Sequence, residues 1–87
     1  MDSKHKIELD IKALSEMLFQ KYNKVVLDAK ETAECIGRSQ MSLSRDRADK
    51  VGIPYAKIGR KNGSDKAVYN VIDIARHIVE NRYKVVK

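Results

Sequence analysis

Residues 27–50, "LDAKETAECIGRSQMSLSRDRADK", decide how this chain folds. Asp28 and Glu31 stand at the Asp-x-x-Glu spacing of a capping box, in which the first side chain accepts a helix-start amide and the second acid returns the bond. A short helix is therefore predicted over Ala29 to Ile36. Gly37 follows as the residue able to take the left-handed conformation that ends a helix. One residue, Arg38, then separates it from Ser39, a good N-cap for a second helix over 40–50. Helix, tight glycine turn, helix is the spacing of a helix-turn-helix.

The second helix is polar for one that must pack. Leu43 is the strongly apolar residue near its middle, and with Leu43 turned inward a 100° step per residue puts Met41 and Arg45 on the opposite side. Ser42, Ser44 and Ala48 flank them. Short side chains let a helix approach a groove closely, and Arg can bond a guanine edge through two donors.

Downstream, Pro54 stops any helix, while Tyr55, Ile58, Val68 and Tyr69 suit strands on either side of "GRKNGSDK" at 59–66. That loop tempts a phosphate-cradle reading. A Walker loop needs Gly-x4-Gly-Lys-Ser/Thr running into a helix; here Gly59 and Gly63 are one residue too close and a strand follows. The loop is read instead as a hairpin tip whose Arg60, Lys61 and Lys66, with Asn62 and Ser64 as neutral donors, can reach phosphates or a minor groove. Asn70 and Asp73 repeat the capping spacing before a last helix over "VIDIARHIVENR", with Ile74 and Ile78 as its buried stripe. Upstream, Ile7, Ile11, Leu14, Leu18 and Tyr22 recur at helical spacing, so residues 5–22 form an amphipathic helix that packs on the core or supplies a dimer seam.

Composition narrows the partners. Eighty-seven residues make a single domain, 1–87, with a net charge of +6. From Arg38 to Lys66 there are eight bases against three acids, so nearly all the excess lies in that third of the chain. Such a patch suits a polyanion. The single Cys35 excludes an internal disulfide framework, and His5 and His77 are too far apart to compose a zinc-ligand motif. No base lies near a hydroxyl or thiol by pattern, so no catalytic residue, cofactor or metal is expected. No apolar run approaches a membrane span, and the charged start has no signal-peptide core, giving a cytoplasmic expectation.

Residues 27–79 resemble the excisionase-like, MerR-like winged helix-turn-helix domain. The resemblance is carried by Glu31, Ala33, Gly37 and Ser39, then Ser42, Leu43 and Arg45, then Gly52, Pro54, Tyr55, Lys57, Gly59 and Arg60, and finally Tyr69 and Asp73-Ile74. The chain departs from the family pattern at Asp46, where a large apolar residue is usual, and in a longer tip from Arg60 to Lys66. The resemblance implies a non-catalytic DNA-binding domain acting as a recombination directionality factor, a phage or plasmid transcriptional regulator, or a small terminase subunit.

The expected architecture is mainly α with a small β-hairpin: a winged helix-turn-helix over 27–82 with an extra N-terminal helix over 5–22. On double-stranded DNA, Arg45 is expected to read a base edge, with Gln40, Ser42 and Ser44 as smaller readers and Met41 on a thymine methyl. Arg38, Ser39, Arg47, Arg60, Lys61, Asn62, Ser64 and Lys66 complete the contact set. Six cations on phosphates give a slope of log affinity against log salt of about −5. Asp46 and Asp49 are expected on the side away from DNA. Possible protein partners are a second copy paired through the N-terminal helix, and an integrase or other DNA-processing protein. The competing expectations are a winged-helix protein-interaction adaptor and the DNA-recognition subunit of a packaging machine.

Overall fold

The computed structural model describes residues 3–59 and 65–85, with side chains over 5–59 and 66–81. Four helices and three strands follow in the order α1 (Ser3–Tyr22), β1 (Val26–Asp28), α2 (Ala29–Ile36), α3 (Gln40–Ala48), β2 (Ala56–Gly59), β3 (Asp65–Asn70) and α4 (Val71–Val85). The molecule is mainly helical, with a three-stranded antiparallel sheet of order β1-β3-β2.

The sheet holds one strand more than the expected hairpin. Val26–Asp28, read from sequence as a lead into α2, pairs with β3, Leu27 standing opposite Tyr69. Both side chains are buried. This pairing joins segments about 40 residues apart, so no local signal announces it. On the other edge, β2 pairs Ala56 with Val68 and Ile58 with Lys66. Asp65 and Lys66 thus belong to strand β3 rather than to a hairpin tip.

Both expected caps at the start of α2 form. Asp28 accepts from the Glu31 amide at 2.8 Å, and Glu31 accepts from the Asp28 amide at 3.1 Å. Gly37, at φ 70°, ends the helix; its amide and that of Arg38 both donate to the Ala33 carbonyl. The Asp28 carboxyl lies below the usual aspartate range, held there first by the Glu31 amide and then by Lys66 and Lys24. A depressed folded value means that the cap stabilises fully above the ordinary value of 3.8 and fades as pH falls through the lower folded one. Asp28→Ala is expected to cost about 0.5–2 kcal/mol at neutral pH. Urea titrations at falling pH should show the gap between the two proteins closing below about pH 4.

The core joins the helices to the sheet. Leu27, Leu43, Tyr69, Ile74, Ala75 and Val79 are almost wholly excluded from water, with Ile11 and Leu18 reaching in from α1. The predicted stripe of α1 is spent here: Ile7, Leu14 and Tyr22 also lie against the core, and α4 is the element α1 contacts most. A dimer seam on that stripe is therefore unavailable without opening the subunit. Cys35 packs at the core edge, its thiol 3.6 Å from the Tyr22 hydroxyl. No helix among the described residues is long and apolar enough to cross a membrane.

Candidate nucleic-acid interface

Helix α3 is held by one buried side chain, Leu43. Ser39 caps its start, accepting from the Ser42 amide at 3.1 Å, and its hydroxyl also donates to that of Ser42 at 3.1 Å. Gln40, Met41, Ser44, Arg45 and Ala48 are all exposed. The face opposite Leu43 is thus open along the whole helix, as the periodicity predicts.

The helix stops two residues earlier than the sequence indicates. Lys50 donates to the Arg47 carbonyl and Val51 to that of Asp46, a Schellman pattern with Lys50 in the left-handed position at φ 58°. Glycine or asparagine usually marks that position, so nothing in the sequence flags it.

The three arginines of the unit have different fates. Arg38 is clamped by Asp46 through two contacts of 2.7 and 3.4 Å. Arg47 turns toward the sheet: it donates to the Tyr69 hydroxyl at 2.6 Å and lies 5.8 Å from the Tyr55 ring centroid. Arg45 alone of the three finds no oxygen acceptor among the described residues; its Nη2 rests 3.7 Å from the Met41 sulfur. Charge counting alone places Arg38 and Arg47 on phosphates, whereas in the free protein both guanidiniums are engaged within the fold.

Asp46, the acid three residues after the buried Leu43, has a role inside the fold. It neutralises Arg38 and sits over Gly52, where an added Cβ would come within 2.8 Å of its carboxylate. Gly52, at φ 86°, suits the site both by conformation and by this close approach. Asp49 does not meet the expectation made for it. It follows Arg45 by one turn, at the C-cap, and so lies on the Arg45 side of the axis.

Beyond α3, Lys50, which the sequence reading did not single out, lines a cleft of about 380 Å³ with Arg47, Val51, Ile53, Pro54 and Tyr55. Lys66 reaches from β3 to within 3.6 Å of Asp28 and keeps 41% of its side chain exposed. Arg60, Lys61, Asn62 and Ser64, the remaining expected contacts of the hairpin tip, lie outside the described residues. Among the described residues no cluster of three His, Cys, Asp or Glu side chains could hold a metal ion.

Comparison with protein-family models, characterised proteins and solved structures returns no match to this chain.

Proposed function

We propose that this chain is a sequence-specific double-stranded DNA-binding protein of the winged helix-turn-helix type, with α3 as the reading helix in the major groove. The β2–β3 hairpin serves as the wing on the neighbouring backbone or minor groove. The single observation that carries this reading is the open face of α3, where Gln40, Ser44 and Ala48, with Asp49 at its end, surround Met41 and an arginine that finds no oxygen acceptor among the described residues. Leu43 and Arg47 hold the inner side of the helix, and the outer face has the donors and the clearance for base edges. The net charge of +6 supplies the long-range attraction to a polyanion. By its resemblance, the biological role is that of an excisionase-like recombination directionality factor or a small phage or plasmid regulator.

The test is selection of bound duplexes from a random pool at about 150 mM salt, near the physiological range. A defined motif is expected. With Arg38 and Arg47 engaged internally and Arg45 on a base edge, Arg60, Lys61 and Lys66 remain of the six cations, and the salt slope falls to about −3. A slope near zero overturns the reading. An adaptor role, toward which the exposed Val51, Tyr55 and Ile58 point, predicts no enriched motif and duplex binding indifferent to Arg45→Ala.

A further inference from the structure

We infer that Met41 and Arg45 act as one reading unit for a guanine stacked next to a thymine in the major groove, the thymine being recognised through its methyl group. This rests on the DNA-binding reading and adds to it the base step that is read.

Met41 and Arg45 are one helical turn apart on the open face of α3, and their tips touch: Arg45 Nη2 lies 3.7 Å from Met41 Sδ. That separation is close to the spacing of stacked bases, about 3.4 Å along one strand. Two tips in contact can therefore reach bases no further apart than stacked neighbours. Arg45 uses one corner of its planar fork on the sulfur, which leaves the rest of the fork for the paired acceptors O6 and N7 of guanine. Met41 is 65% exposed in the free protein, so its thioether and methyl are apolar surface still to be covered. The apolar group that the major groove offers next to a guanine edge is the thymine C5-methyl. Each side chain thereby fixes the other: the sulfur limits where the guanidinium swings, and the guanidinium limits where the unbranched methionine lies.

No other arginine of the unit can substitute. Arg38 is held by Asp46 and Arg47 by Tyr69. A guanine contact from α3 therefore falls to Arg45, and its neighbour is set by Met41.

The experiment takes the best duplex from the random-pool selection and changes single atoms or groups in it. Replacing the thymine by deoxyuridine removes only the methyl. Replacing the guanine by 7-deazaguanine removes only the N7 acceptor. Deoxyuridine is expected to weaken the wild-type protein about fourfold, the transfer value of one buried carbon, and to leave Met41→Ala unchanged. Deazaguanine is expected to weaken the wild type by roughly fivefold or more and to leave Arg45→Ala unchanged. Because Met41 is exposed, its truncation does not endanger folding. The inference is overturned if the selected site has no guanine beside a thymine, or if either base change has the same effect on variant and wild type. Salt-dependent binding without an enriched site overturns this inference while leaving duplex binding intact. Absence of any duplex binding at low salt overturns the DNA-binding reading itself.

Discussion

Leu43→Ala is expected to destabilise the protein by about 2–5 kcal/mol, the range for truncating a buried leucine. The site has little means of relaxing around the loss. Leu43 is 2% exposed and is the one buried residue of a nine-residue helix. A helix of that length does not persist in water on its own and depends on its packing face. For a domain of this size the midpoint of thermal unfolding should fall by roughly 10–30 °C. Since total stability of small domains is about 5–15 kcal/mol, the loss removes a large share of it. Calorimetry, with amide exchange resolved along α3, measures both effects. A loss below about 1 kcal/mol, the middle of the range for ordinary substitutions, would mean that α3 is not anchored through Leu43.

The second large effect concerns Arg47. Its hydrogen bond to the Tyr69 hydroxyl, at 2.6 Å, joins α3 to the central strand, and its guanidinium also lies over Tyr55. The Tyr55 and Tyr69 rings are themselves 6.1 Å apart and tilted by 45°, so the arginine completes a small aromatic cluster. Hydrogen bonds to charged groups contribute about 1.5–3 kcal/mol, and Arg47→Ala is expected to cost about that much. Tyr69 is 1% exposed, so its hydroxyl loses its partner in the variant and gains little water in exchange. Removing the hydroxyl as well, in Arg47→Ala with Tyr69→Phe, should recover part of the loss. A urea-unfolding cycle over the two single variants and the double variant gives the coupling directly, with a value above about 0.5 kcal/mol expected for groups in contact. A coupling indistinguishable from zero would free Arg47 from the fold and return it to the cations proposed to meet phosphates.

What could be read from the sequence was local. Asp28 with Glu31, Gly37 and Ser39 each act within four residues of themselves, and all four stand in the structure as their spacing predicts. The exposed face of α3 follows from Leu43 by angle alone. Pairing across long separations was not legible: β1 is three residues long and its partner lies beyond two helices. Nor could charge counting tell which cations remain available. Arg38 and Arg47 look alike in a list of bases, but the first meets a carboxylate eight residues away and the second a tyrosine 22 residues away. Asp46 looked like a flaw in an apolar position. Its role depends on Gly52 arriving beneath it, and only the turn after α3 brings that about.

The Arg38–Asp46 pair also changes what a polyanion would have to displace. A duplex phosphate carries condensed cations and frees them when a protein cation takes their place, and that release is what salt opposes. Arg38 already holds a tethered counter-ion from its own chain. A phosphate that drew Arg38 away would still free its condensed cation, but the contact with Asp46 would be lost and that carboxylate left to be rehydrated. At that one position, association would be an exchange of partners, adding less affinity than a cation that has no partner to give up.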